Sequence, residues 1–101
     1  RLYRQEIAIA ALTTGTTRAL AAQAADELLN ISGISASFVL YPDGDQVFVS
    51  ARSIGEVNVQ MILEPLGGGG NTATAGAQVK GADVKAVMEQ LLTSIDKYYE
   101  G

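Results

Sequence analysis

Arg52 and Ser53 stand side by side at the end of an apolar run, and four consecutive glycines, Gly67 to Gly70, follow downstream. A guanidinium offers a planar fork of donors matched to phosphate oxygens. A neighbouring hydroxyl adds one more donor. Adjacent glycines allow backbone amides to converge on an anion with no side chains in the way. Between Ala19 and Val79, Arg52 is the only basic residue. Residue types in this pattern suit recognition of a phosphate-bearing ligand. Each also has a plainer reading. An isolated arginine can simply sit at a strand edge, and a glycine run can be a flexible joint. A joint, however, seldom interrupts a domain of this size between two core elements. The run is not a Walker loop, since no Gly-Lys-Ser/Thr follows, and it lacks dinucleotide-binding spacing. Asn58 reads first as a helix cap and is kept as a candidate ligand contact. Gln60 reads as solvent-facing, and the pair Tyr98 and Tyr99 as core edge and surface.

Catalytic chemistry finds less support. The chain has no histidine, which excludes a histidine triad, an imidazole acid/base and the usual zinc site. The 11 carboxylates are scattered singly, without metal-ligand spacing. No cysteine is present, so no disulfide framework is possible. A net charge of −4 argues against a general nucleic-acid or membrane-surface binder, while leaving room for one small anion site. No apolar stretch reaches the length of a membrane span, and no signal peptide is visible. The chain begins on Arg1 and enters a strand almost at once, which suggests a piece of a longer protein.

At 101 residues and 48% hydrophobic, the chain suits one domain with a modest core. Glu6 to Leu12 is apolar on both alternating faces, as in a strand covered on both sides. Thr13 to Thr17 is a polar turn with good caps. A helix follows from Arg18, with Leu20, Ala24, Leu28 and Ile31 on one face, and ends near Gly33. Ser35 to Tyr41 and Gln46 to Arg52 form a hairpin around Pro42-Asp-Gly-Asp45. Val47, Val49 and Ala51 face one way; Phe48, Ser50 and Arg52 face the other. Val59, Ile62, Leu63 and Leu66 have helical spacing, and Pro65 should end that helix near Glu64. Ala75 to Lys80 reads as a strand. Asp83 can cap a last helix with Val84, Val87, Leu91, Ile95 and Tyr98 on its face. The expected fold is α/β: a single domain with a mixed four- or five-stranded sheet, packed helices and one parallel crossover.

The stretch SARSIGEVNVQMILEPLGGGGNTATAGAQV, Ser50 to Val79, resembles the signature of the DHH-associated domain, the C-terminal module of DHH-family phosphoesterases. The run SARSIGEVNVQ is most similar to the membrane-anchored cyclic-di-AMP phosphodiesterases. The resemblance implies a substrate-binding role over residues 1–101. Arg52 and Ser53 would meet a phosphate, and Gly68, Gly69 and Gly70 would line the nucleotide site. Asn71 stands where the family usually has histidine. It can still donate a hydrogen bond but cannot titrate near neutral pH. Pro65 is a second departure. No cofactor is expected in this chain; manganese would belong to a separate DHH domain carrying the Asp-His-His motif. The implied partners are a cyclic dinucleotide or short nucleotide and the DHH domain of the same chain, with a homodimer left open. The chain itself would be cytoplasmic and make no membrane contact, its parent being anchored. The same module could serve a short-oligonucleotide or polyphosphate hydrolase. It could also be an RNA-binding or dimerisation module like the end of alanyl-tRNA synthetases.

Overall fold

The computed structural model describes residues 1–101. The strands are β1 (Leu2–Tyr3), β2 (Ile7–Ala11), β3 (Ala36–Asp43), β4 (Gln46–Ser53), β5 (Gly69–Gly70) and β6 (Thr74–Lys80). The helices are α1 (Arg18–Leu29), α2 (Val59–Leu63) and α3 (Val84–Glu100), with a 3-10 turn over Glu64–Leu66. The sheet runs β1-β2-β3-β4-β6-β5. Only β2 and β3 pair in parallel, joined by the α1 crossover. The expected α/β class and mixed sheet are therefore found, with six strands instead of four or five. The two additional strands are two residues each, too short to carry an alternating signal.

Two layers of helix cover the sheet. On one face, Phe38, Leu40, Val47, Val49 and Ala51 pack against Ile62 and Leu63 of α2 and Val87, Leu91 and Ile95 of α3. On the other, Val39 and Tyr41 pack against Ala21 and Ala25 of α1. The expected α1 face holds at Ala24 and Leu28, which are partly buried against this cluster, and is corrected at its other two positions. Leu20 and Ile31 are 53% and 54% exposed, while Ala21 and Ala25 are fully buried. The strands beneath α1 already present bulky side chains, so the helix approaches through small ones at i, i+4 spacing. Ser37 fixes that approach by donating its hydroxyl to the Ala25 carbonyl at 2.6 Å.

Caps match local sequence: Thr17, Asn58 and Asp83 each accept from an amide in the following turn. Pro65 lies in the 3-10 turn directly after α2, and α2 ends at Leu63 as its position requires. Pro42 sits inside β3 rather than at the turn, opposite Val47. β2 pairs only as far as Leu40, so no neighbour on that side needs the missing amide. Gly44, at φ 64°, and Asp45 make the turn.

The N-terminal segment is latched to α3. Tyr3 and Arg4 both reach Asp96, and Tyr99 donates to Glu6 at 2.6 Å. Arg4 and Gln5 adopt positive φ, 50° and 67°, an uncommon conformation for side-chain-bearing residues. The latch holds them there. The hydrogen bonds from Tyr99 and then Ser35 hold the Glu6 carboxyl below its ordinary value, and those from Tyr3 and Arg4 do the same for Asp96. Burial and the Glu6 contact push Tyr99 upward. A depressed carboxylate stabilises the fold above its unfolded value, 4.5 for Glu6, and that contribution is lost as pH falls further. The urea midpoint should therefore decline as pH falls below about 4.5. Tyr99→Phe should flatten that decline, and an unchanged acid limb would remove Glu6 from its cause.

Candidate functional site

α1 covers only part of its sheet face. It lies over β3 and the near side of β4, and leaves the outward residues of β6 exposed: Thr74, Gly76 and Gln78. The uncovered strip forms a cleft of about 740 Å³ bounded by α1, β4, β6 and the glycine run. This is a size typical of small-molecule sites.

Arg52 lies on the strip because β4 alternates. Val47, Val49, Ala51 and Ser53 point to the α2/α3 core; Phe48, Ser50 and Arg52 point to the cleft. The guanidinium is held on two sides. Nε meets Asp26 of α1 at 3.2 Å, and Nη1 donates to the Ala51 carbonyl at 2.8 Å and more weakly to Ser50 Oγ at 3.4 Å. Nη2 has no hydrogen-bond partner in the fold. Asp26 is thus part of the site, although no spacing in the sequence joins it to Arg52. The whole of β3 separates their two elements along the chain.

The glycines are not a hinge. Gly69 pairs with Gly76 and Gly70 with Ala75, so the run becomes the edge strand β5. Side-chain atoms are forbidden at two positions. A Cβ on Gly68 would lie 2.5 Å from the Gly76 carbonyl oxygen, and one on Gly70, at φ +143°, would lie 2.3 Å from that of Thr74. Gly69 is different: a Cβ there would meet nothing. Alternation places it on the cleft face with Gly76, opposite in sense to Gly68, whose Cβ would point to Leu63. The expected concavity of free amides is not formed throughout the run. The amides of Gly67 and Gly68 donate to Glu64 and Leu63 carbonyls. What the glycines supply is a bare cleft floor.

Of the candidate residues, Arg52, Gly68 and Gly69 line the cleft. The others stand apart from it. Ser53 is buried on the opposite face, where its hydroxyl accepts from the Gly55 amide at 2.8 Å. It is adjacent to Arg52 in sequence, and that adjacency is what sends the two side chains opposite ways. Asn58 caps α2, its Oδ1 accepting from Met61 N at 3.1 Å, and its backbone N–H donates to the Tyr98 hydroxyl. Gly70 packs on Ala75. Asn71 holds the β5–β6 turn. Its Oδ1 accepts from the Ala73 and Thr74 amides at 3.0 and 2.9 Å, an Asx turn that leaves only its Nδ2 donors unassigned. Replacing Asn71 with alanine should lower stability by about 1 kcal/mol. Asn71→Asp should retain most of it, as read by urea denaturation, and equal losses would discount the turn.

Arg18 also lines the cleft, from the first turn of α1. Its position outside the stretch between Ala19 and Val79 kept it out of the sequence-derived set.

The profile of the DHHA1 domain family matches residues 4–101. The chain belongs to the DHHA1 domain family. This DHHA1 domain is 47% identical over 99% of its length to the cyclic-di-AMP phosphodiesterase GdpP of Bacillus subtilis, of which it covers 16%. It is 45% identical over 81% of its length to the cyclic-di-AMP phosphodiesterase PdeA of Listeria monocytogenes, of which it covers 13%. The DHHA1 domain thus spans less than a fifth of either relative. Its fold is shared with an exopolyphosphatase-related protein from Bacteroides fragilis, at a TM-score of 0.82 and 22% identity, over 97% of this chain and 31% of that one. No helix of the domain is long and apolar enough to cross a membrane.

Proposed function

We propose that this DHHA1 domain holds the substrate of a DHH-family phosphodiesterase that opens cyclic-di-AMP to the linear dinucleotide. The reading rests above all on Arg52. It is fixed by Asp26 and Ala51, with two donors free, at the edge of a cleft whose floor is bare glycine. Identity with two cyclic-di-AMP phosphodiesterases supports the choice of substrate.

In this account Arg52 binds a phosphate of the dinucleotide and neutralises charge that builds up during hydrolysis. Gly69 and Gly76 let the ribose-phosphate chain approach the sheet closely. Manganese does not fit this chain: no three His, Cys, Asp or Glu side chains come together, and histidine is absent. The reading therefore assigns metal and water activation to a DHH domain of the same protein and gives this domain binding and orientation alone.

Calorimetric titration of the full-length protein with cyclic-di-AMP, a linear dinucleotide and polyphosphate tests the substrate. Tighter binding of cyclic-di-AMP by about tenfold or more is expected. A preference for polyphosphate would replace this reading with the polyphosphate one.

A further inference from the structure

The cleft has two ends, and the reading above uses one of them. The second carries Arg18, Tyr41, Phe48 and Gln78. We propose that this end is a nucleoside subsite, so that a dinucleotide lies lengthwise in the cleft, one base against Phe48 and an anionic group beside Arg18. The proposal rests on the reading of the cleft as a nucleotide site.

The spacing suits a ligand longer than a mononucleotide. Arg52 and Phe48 share a face of β4 four residues apart, about 13 Å along the strand. Asp26, which holds Arg52, and Arg18 are eight residues apart on α1, about 12 Å. Between the ends, Ser50 lies opposite Gly76, and Gly76 opposite Gly69. All three are small, so a ligand can cross without obstruction.

The far end has the chemistry of base recognition. The Tyr41 and Phe48 rings stack with centroids 5.3 Å apart and planes 14° from parallel. Tyr41 is buried and Phe48 half-buried, so the inner ring supports a flat apolar surface formed by the outer one. Stacking on such a surface tolerates any base. Gln78, exposed on β6 across from Phe48, donates one Nε2 hydrogen to Gln46 Oε1 and keeps its Oε1 acceptor and the other Nε2 hydrogen for a base edge. Arg18 is exposed and forms no ion pair, whereas Arg52 is engaged by Asp26. A polyphosphate would leave the aromatic surface unmatched.

The test measures affinities of the full-length protein for cyclic-di-AMP and for AMP in three variants. Arg18→Ala and Phe48→Ala should each weaken cyclic-di-AMP roughly tenfold. AMP, short enough to be held by the Arg52 end, should change less than about twofold in both. Arg52→Ala should weaken both ligands. Arg18 is exposed, so its variant separates ligand loss from misfolding. Unchanged cyclic-di-AMP affinity in Arg18→Ala and Phe48→Ala overturns the subsite, as does a parallel loss of AMP. Wild-type protein that binds neither ligand fails the nucleotide reading itself, and the subsite with it.

Discussion

Replacing Arg52 with alanine in the full-length protein is expected to lower cyclic-di-AMP turnover by about hundredfold. The side chain is 20% exposed and contributes little to the hydrophobic core, so the fold should persist. Its loss removes the Nη2 donors and the charge facing the cleft. It also leaves Asp26 unpaired; that carboxylate is 64% exposed and can be solvated. Arg52→Lys should recover only a small part of the activity. An ammonium cannot satisfy Asp26, the Ala51 carbonyl and a phosphate with the geometry of the planar fork. Steady-state kinetics beside a thermal melt reads both effects. Wild-type kinetics in a folded Arg52→Ala protein would take Arg52 out of the site.

The glycines should separate into two kinds. Gly70→Ala should destabilise the domain by about 3 kcal/mol or more. Its Cβ would collide with the Thr74 carbonyl oxygen and with Ala75 Cα at 2.6 Å, from a backbone angle that alanine disfavours. Gly68→Ala should behave similarly, because the Gly76 oxygen it meets is backbone and cannot rotate away. Gly69→Ala should change stability by no more than about 0.5 kcal/mol, since its methyl meets no atom. That methyl would enter the cleft, so nucleotide affinity should fall roughly tenfold while the fold stays intact. Denaturant melts of the three variants, with affinity measured for Gly69→Ala, would show the pattern. Equal stability losses at all three positions would contradict the β5 pairing described.

The contrast shows what the sequence carries. Long periodic elements were legible: α3, the β3–β4 hairpin and the α2 stop before Pro65 follow from spacing and from proline chemistry. The alternation of β4 located Arg52 on the face opposite Val47, Val49 and Ala51. The same rule, applied one residue further, sends Ser53 to the core side, against its expected place beside the phosphate. On α1 the spacing finds Ala24 and Leu28 but misses Ala21 and Ala25, because alanine gives a weak apolar signal and their burial depends on bulky partners that the helix's own sequence does not reveal. Asp26 and Arg18 join the site through the crossover that lays α1 along the cleft. That juxtaposition exists only once β2 and β3 pair in parallel. Asn71 looked like a weakened histidine, while its Oδ1 closes a turn. Gly68 and Gly70 looked like freedom and are close contact.

The most direct measurement is a crystal structure of the full-length protein with a bound, non-hydrolysable cyclic-di-AMP analogue. The account predicts a phosphate oxygen within hydrogen-bond distance of Arg52 and the sugar-phosphate chain crossing Gly69 and Gly76. A ligand seated elsewhere, for instance in the groove between α2 and α3 beside Met61 and Tyr98, with Arg52 still bonded only to Asp26, Ser50 and Ala51, would contradict it.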